Sequence, residues 1–291
     1  MTRNDRFPPL QLVAFDLDGV IYRGKTVLPG VREALDDVAA RGFLIRYVTN
    51  NATMHRSTVA ARLAGMGLPA TKEQVLSSAS ATAGWLCDRL GEGARVLALG
   101  EEGLVRELRE AGLETYSAVE LATRAVAAGS AAAAAAAAAA EALAPRAMVV
   151  GLCRALSYEA LAAAQSAIIA GALFVATNPD ATYPAEGRVL PGAGSVVAAV
   201  ATAGGQEPLF IGKPGLGMAL ALEKTTGAPP GATLLVGDRL DTDISFGLRA
   251  GMQTALVLTG VNSREDVEST GIHPHYILDT LQDLASLLDG L

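Results

Sequence analysis

The chain has very little cysteine and no run of basic residues. Its two cysteines, Cys87 and Cys153, lie far apart and form no Cys-x-x-Cys pair. This spacing indicates neither a zinc site nor a disulfide framework, and it predicts a protein of the reducing cytoplasm. The net charge of −7, without clustered Lys and Arg, argues against a nucleic-acid partner.

Long hydrophobic runs are also missing. Residues 1–11 contain charged residues and prolines but no apolar segment of the kind found in signal peptides. The longest weakly apolar tract is Ala131–Ala140, ten alanines that are too weakly hydrophobic to predict a membrane span. We therefore expect a cytoplasmic protein with no membrane partner. With 51% hydrophobic residues in 291, the chain can bury a core and form one large domain or two ordinary ones.

Residues 12–21 are a short apolar run interrupted by Asp16 and Asp18. Such a run is typical of a strand buried on both faces, as in parallel sheets. Strand-like and helix-like segments then alternate along the chain. The predicted fold class is α/β, with a doubly wound, Rossmann-like parallel-sheet core.

Polar side chains follow four of the predicted strands. They are Asp16 and Asp18, Thr49 and Asn50, Lys213, and Asp238 with Asp243. In open α/β sheets, ligands bind outside the carboxyl ends of the strands. Together these groups supply a carboxylate nucleophile, a second acid, a hydroxyl and an ammonium for phosphoryl oxygens, and acids for a hard cation. The combination favours phosphoryl transfer through an aspartyl intermediate.

These residues resemble the haloacid dehalogenase-like phosphatases, in particular the subgroup with an inserted α/β cap of type IIA, such as p-nitrophenyl phosphate, pyridoxal phosphate and phosphoglycolate phosphatases. The similarity covers nearly the whole chain except about residues 118–145. The motifs that carry it are Asp16-Leu17-Asp18-Gly19-Val20, Thr49-Asn50-Asn51, Gly212-Lys213-Pro214 and Gly237-Asp238-Arg239-Leu240-Asp241-Thr242-Asp243-Ile244.

The resemblance implies a role for each motif residue. Asp16 would be the nucleophile that takes the phosphoryl group, and Asp18 the general acid and later base. Thr49, the Asn50 backbone and Lys213 would hold phosphoryl oxygens. Mg²⁺ would be bound by the Asp16 carboxylate, the Asp18 main-chain carbonyl and Asp238, with Asp243 supporting a metal-bound water or Lys213.

The long interval between Thr49 and Lys213 predicts a second domain. We expect a core domain in residues 1–88 and 205–291 and an α/β cap in residues 89–204. Substrate-binding candidates are Gly19, Asn50, Asn51, Asn178 and Asp180. The expected partner is a small phosphorylated metabolite, and the resemblance also implies a homodimer through the cap.

Alternatives stay open at this point. The same pocket would serve a non-catalytic phosphometabolite-binding module or a phosphomutase, whereas a dehalogenase would not need Asp18, Asp238 and Asp243. The family commonly has an acidic residue after Val-Gly-x in the cap, where this chain has Cys153, so the inherited substrate is open too. The alanine run predicts a helix with Ser130 as its N-cap, but it carries no pattern that specifies its packing.

Overall fold

The computed structural model describes residues 7–129, 131–185 and 188–291. These residues form two compact units. The first, here the core unit, contains the described residues up to 49, 57–76 and 213–291, and the second, here the cap unit, contains residues 50–56 and 77–212. The boundaries of independently folding domains, expected at 88/89 and 204/205, stay a prediction.

The described residues contain fifteen strands and twelve α-helices. The strands are β1 (Leu12–Phe15), β2 (Tyr22–Arg23), β3 (Thr26–Val27), β4 (Leu44–Thr49), β5 (Val75–Ser77), β6 (Arg95–Leu99), β7 (Glu114–Ser117), β8 (Ala147–Val150), β9 (Leu173–Ala176), β10 (Thr182–Ala185), β11 (Arg188–Pro191), β12 (Leu209–Phe210), β13 (Thr233–Gly237), β14 (Gln253–Val257) and β15 (Tyr276–Leu278). The helices are α1 (Val31–Ala40), α2 (Arg56–Gly65), α3 (Ser78–Leu90), α4 (Glu102–Glu110), α5 (Ala118–Ala128), α6 (Ala132–Leu143), α7 (Tyr158–Ile169), α8 (Ala193–Gly204), α9 (Gly217–Thr226), α10 (Ser245–Ala250), α11 (Arg264–Thr270) and α12 (Leu284–Asp289). None of these helices combines the length and apolar character needed to cross a membrane.

The core unit is built on a six-stranded sheet in the order β15-β14-β13-β1-β4-β5. Strand β1 pairs in parallel with β13 on one side and β4 on the other, which places Phe15 level with Val236 and Tyr47. All four residues of β1 are fully buried, as a strand covered on both faces requires. The prediction of an α/β fold with a parallel sheet is confirmed.

The cap unit has its own parallel sheet of five strands, in the order β12-β9-β8-β6-β7. Helices α5, α6 and α7 contribute small side chains to its main hydrophobic cluster. The alanine run forms most of α6, and Ala136 and Ala140 are its buried residues. Ser130, which the sequence predicts as the N-cap of this helix, lies outside the described residues.

One strand lies in a different sheet from the one its position suggests. The sequence predicts a strand that ends near Lys213 and places this lysine at the edge of the core sheet, as the other core strands place their acids. Strand β12 is instead only Leu209–Phe210, and it pairs with β9 of the cap unit. A strand does precede Lys213, but its expected place in the core sheet was wrong, and the loop residues Ile211 and Gly212 connect the strand to the lysine.

Candidate active site

Asp16 occupies the residue directly after β1. Its N–H donates to the carbonyl of Val236 on β13 (2.9 Å), which continues the ladder one residue beyond the strand. The residue is only 9% exposed. Burial raises the pKa of this carboxyl well above its usual range, Lys213 opposes the rise, and Asp243 and Asp238 add to it.

Lys213 joins two carboxylates in the interior. Its Nζ donates to Asp16 Oδ1 (2.6 Å), to Asp243 Oδ1 (2.6 Å) and to the carbonyl of Val48 (3.0 Å). Burial alone would lower its pKa, but the two carboxylates reverse the effect and raise the pKa above its ordinary value. The buried lysine is therefore an ammonium ion that fixes the position of Asp16.

Asp243 lies in a single π-helical turn, Leu240–Ile244, that follows β13. Its Oδ2 accepts the N–H groups of Asp238 (3.2 Å) and Arg239 (3.1 Å), and its Oδ1 is bound by Lys213. A side chain at Gly237 would overlap it, since an added Cβ would lie 2.2 Å from the Asp243 Cβ. Both oxygens of Asp243 are engaged by the protein, so this acid orients its neighbours.

Asp238 is buried against two glycines. Its Oδ2 accepts the N–H of Val261 (2.9 Å). Cβ atoms added at Gly19 and Gly260 would lie 2.4 Å and 1.9 Å from the same oxygen, so the acid fits only because both side chains are missing. Burial and the nearby Asp243 raise the pKa of Asp238 to about 7.

Asp16, Asp238 and Asp243 each have a carboxylate oxygen within 4.8 Å of the others. Like charges at this separation disfavour one another, and this repulsion adds to the effect of burial in raising the pKa values of Asp16 and Asp238. Lys213 balances only part of the charge. A divalent cation with a preference for oxygen ligands fits this cluster, because it would relieve the remaining repulsion.

Asp18 lies two residues beyond Asp16 and its residue is exposed. Loss of water around its carboxyl raises its pKa, while Arg62 and Lys213 lower it. The Arg62 guanidinium stacks on the Tyr22 ring, with its Cζ 4.5 Å from the ring centroid. Sequence reasoning missed Arg62, because a half-buried arginine in the last turn of α2 belongs to no motif.

Thr49 is the last residue of β4 and is 5% exposed. Asn51, two residues on, uses its own Oδ1 to accept the N–H (2.9 Å) and the hydroxyl (2.7 Å) of Thr53. This arrangement is an Asx turn, in which the side chain shapes the backbone that follows it.

Asn178 and Asp180 contact Asn50 within the cap unit. Asn178 Nδ2 donates to the Asn50 carbonyl (2.8 Å), and Asn50 Nδ2 donates to Asp180 Oδ2 (3.1 Å). The structure thus brings Asp16, Gly19, Lys213, Asp238 and Asp243 together in the core unit. It groups Asn50, Asn178 and Asp180 in the cap unit.

Glu107 and Cys153 are two further buried residues of the cap unit. No motif in the sequence indicates Glu107, and Cys153 is indicated only as a departure from the family pattern. Glu107 on α4 is buried and accepts both the N–H (2.9 Å) and the Nε–H (2.9–3.0 Å) of Arg56, and it lies 3.4 Å from His55 Nε2. Cys153 is buried, which raises the pKa of its thiol and keeps it neutral. Neither residue shares a motif with the acids of the core unit.

Two family models match the chain. Residues 13–114 match the model described as haloacid dehalogenase-like hydrolase. Residues 210–284 match a second model, described as HAD-hydrolase-like. The two matched segments include the residues from Asp16 to Asn51 and from Lys213 to Asp243 that form the motifs.

Similar proteins are phosphatases by name. The dihydroxyacetone phosphatase of Corynebacterium glutamicum is 32% identical over 274 residues, which are 94% of this chain and 90% of that protein. The p-nitrophenyl phosphatase structure from Archaeoglobus fulgidus has a TM-score of 0.82 and 31% identity, and the match covers 96% of this chain and 100% of the other. The glycerol phosphate phosphatase of Mycobacterium tuberculosis, in complex with magnesium, has a TM-score of 0.79 and 36% identity, with 96% of this chain and 78% of the other covered. A calcium complex of the same phosphatase is also similar.

Proposed function

This chain belongs to the haloacid dehalogenase-like hydrolases and is a phosphoric monoester hydrolase, and on that premise we propose that it is a magnesium-dependent phosphatase with Asp16 as its nucleophile. The observation that carries the proposal is the contact of Lys213 with both Asp16 and Asp243 (2.6 Å each), beside buried Asp238. An ammonium ion held in this way favours the ionised form of Asp16 and so opposes the effect of burial, as a carboxylate nucleophile requires.

In the first half of the proposed reaction, an Asp16 carboxylate oxygen attacks phosphorus. The bond between phosphorus and the ester oxygen breaks as the new bond forms. The departing oxygen takes a proton from Asp18, whose raised pKa favours the protonated form that a general acid needs. The product alcohol leaves, and the phosphoryl group remains on Asp16 as an acyl phosphate.

In the second half, Asp18 is ionised and accepts a proton from water. The water oxygen attacks phosphorus, the bond to Asp16 breaks, and inorganic phosphate is released. Asp16 is again a carboxylate and Asp18 is again protonated, so the sum of both halves is hydrolysis of one ester bond by one water. Thr49 and Lys213 hold the phosphoryl oxygens in both halves.

Magnesium would be held by the carboxylates of Asp16 and Asp238 and by the main-chain carbonyl of Asp18. When bound, it neutralises charge on the phosphoryl oxygens and lowers the barrier to attack. The support in this chain is the set of acids within 4.8 Å of one another and the pKa of Asp238 raised to about 7. Asp243, with both oxygens engaged by Lys213 and backbone N–H groups, would hold these ligands in place.

The proposed substrates are small phosphorylated metabolites. The support is the set of names of similar proteins, which include a dihydroxyacetone phosphatase, a D-glycerol 3-phosphate phosphatase and an acid sugar phosphatase. Neutral, buried Cys153 offers no charge to a substrate at the position where the family commonly has an acid. A homodimer through the cap and a cytoplasmic location stay predictions.

The test is a comparison of Asp16→Asn with Asp241→Asn on a panel of phosphate esters with magnesium. Asp241 is exposed and pairs with Arg239, so its variant is a matched control in the same motif region. Loss of the nucleophile is expected to lower kcat by at least about 10³-fold, whereas Asp241→Asn retains wild-type rates. Undiminished turnover by folded Asp16→Asn would refute the proposal.

A further inference from the structure

Two residues of the proposed mechanism stand directly beside points where the chain passes between the compact units. Thr49 belongs to the core unit and the next residue, Asn50, to the cap unit. Gly212 belongs to the cap unit and Lys213 to the core unit. Any restraint on Asn50 or Gly212 is therefore passed on to Thr49 or Lys213 through one peptide bond.

Asn50 is held by three side chains of the cap unit. Its carbonyl accepts from Ser78 Oγ (2.7 Å) and from Asn178 Nδ2 (2.8 Å), and its own Nδ2 donates to Asp180 Oδ2 (3.1 Å). Ser78 is fully buried and Asn178 is 4% exposed. The Asn50 carbonyl is part of the planar Asn50–Asn51 peptide. Two donors on this one oxygen therefore fix the orientation of the peptide directly after Asn50.

Gly212 lies in the same cluster. Its N–H donates to the Thr177 carbonyl (2.8 Å). An added Cβ at Gly212 would lie 2.3 Å from that carbonyl oxygen, 2.8 Å from Asn50 Oδ1 and 2.9 Å from Ser78 Cβ. The segment that leads to Lys213 thus packs against the segment that follows Thr49, and we call Asn50, Ser78, Thr177, Asn178 and Gly212 the Asn50 cluster.

Both polar atoms of the Asn178 side chain form hydrogen bonds. Its Nδ2 donates to the Asn50 carbonyl and to Thr177 Oγ1 (3.2 Å), and its Oδ1 accepts the N–H of Asp180 (3.1 Å). These bonds use both amide hydrogens. These contacts are those of a residue that orients the backbone, and the substrate-binding role expected from the sequence stays a prediction.

We propose that Asn178, together with Ser78, is a positioning residue that sets the placement of Thr49 and Lys213 through the Asn50 cluster. The proposal rests on the proposed function, in which Thr49 and Lys213 hold the phosphoryl group. A displacement of catalytic groups by about 1 Å lowers the rate by about 10²-fold. Loss of the bond from Asn178 therefore lowers kcat, while the affinities for substrate and metal change little.

The decisive variant is Asn178→Asp. It keeps the shape of the side chain and the oxygen that accepts the Asp180 N–H, but it turns an oxygen toward the Asn50 carbonyl in place of a donor. With p-nitrophenyl phosphate and magnesium, we expect kcat to fall by about 10- to 100-fold, and KM and the half-saturating magnesium concentration to stay within about twofold.

A second variant, Ser78→Ala, removes the other donor without adding charge, and it decides the question if Asn178→Asp does not fold. It is expected to lower kcat in the same direction at unchanged KM. The matched control is Ser166→Ala, a buried serine of the cap unit that bonds to Glu141 and lies outside the Asn50 cluster. Its kcat is expected to equal that of the wild type.

The outcomes separate this proposal from the proposed function. Wild-type kcat in folded Asn178→Asp and Ser78→Ala would overturn it. A raised KM at unchanged kcat would also overturn it, because that result indicates substrate binding. An inactive wild type, or an active Asp16→Asn variant, would overturn the proposed function and this proposal with it.

Discussion

At the scale of single residues, Asp238 has room in the site because its neighbours Gly19 and Gly260 have no side chain. Gly19 has φ +85°, a conformation that side-chain-bearing residues rarely adopt, and its missing Cβ leaves room for Asp238 Oδ2. Gly260 leaves room for the same oxygen from the other direction. The Asp-x-Asp-Gly pattern therefore has a packing reason for its glycine as well as a backbone one.

Gly19→Ala tests this reading. The added Cβ would lie 2.4 Å from Asp238 Oδ2, so we expect Asp238 to move, the half-saturating magnesium concentration to rise, and kcat to fall by about 10²-fold. The measurement is a magnesium activation curve with p-nitrophenyl phosphate.

Gly24→Ala is the control for Gly19→Ala. Gly24 also has a positive φ, +59°, but an added Cβ would meet nothing within 4 Å. It shares the conformational cost of about 1 kcal/mol without the clash, so its activation curve is expected to match that of the wild type. An unchanged curve for Gly19→Ala would show that the glycine is not needed to make room for Asp238.

The sequence could predict the residues of the site whose chemistry is tied to a strand end. Asp16, Lys213, Asp238 and Asp243 meet in the structure as their types and spacing suggested. Arg62 and Ser78 could not be predicted, because each lies in a helix where an arginine or serine is ordinary. Only tertiary packing brings Arg62 near Asp18 and Ser78 to the Asn50 carbonyl.

At the scale of elements, the alanine run separates what helix propensity predicts from what depends on packing. High helix propensity predicts α6 but not the face that it buries. In the structure Ala136 and Ala140, four residues apart on one face, lie in a cluster with small residues such as Ala163 and Ala167 of α7. Small side chains on both helices let them pack closely.

Ala140→Leu tests this packing. Three extra carbons at a fully buried alanine are expected to lower the free energy of unfolding by about 1–3 kcal/mol. Ala138→Leu is the matched control on the exposed side of α6, where the change is expected within about 0.5 kcal/mol. Urea denaturation measures both, and equal stabilities would contradict the observed packing of the helix.

Strand β12 is an element whose sheet could not be predicted from the sequence pattern. It has only two residues, and its sequence, Leu209–Phe210, has no periodicity that could assign it to a sheet. Its pairing with β9 is seen only in the three-dimensional structure. The sequence located Lys213 correctly beside a strand but could not tell which sheet that strand joins.

At the scale of the whole molecule, the acids of the core unit are expected to couple stability to metal. A divalent cation that binds the folded chain raises its stability, by about 2.7 kcal/mol at a concentration 100-fold above the dissociation constant. We expect magnesium to raise Tm of the wild type and EDTA to abolish both that rise and the hydrolysis. Thermal unfolding measures the effect without reference to activity.

Asp238→Asn is the control for the metal effect. It keeps the shape of the buried side chain and removes one of the charges within 4.8 Å of Asp16. Its Tm is expected to be insensitive to magnesium. A wild-type Tm that does not respond to magnesium, or an equal response in Asp238→Asn, would contradict the assignment of this cluster as the metal site.

The central claim concerns the bond between phosphorus and Asp16, and it is tested most directly by mass spectrometry of acid-quenched enzyme during turnover of p-nitrophenyl phosphate. Nitrophenolate leaves without needing a proton, whereas the second half of the reaction needs Asp18 as base. In Asp18→Asn the peptide that contains residue 16 is therefore expected to accumulate one phosphoryl group, absent from the same peptide of Asp16→Asn. Turnover by the wild type without any phosphoryl group on Asp16, in either the wild type or Asp18→Asn, would contradict the account.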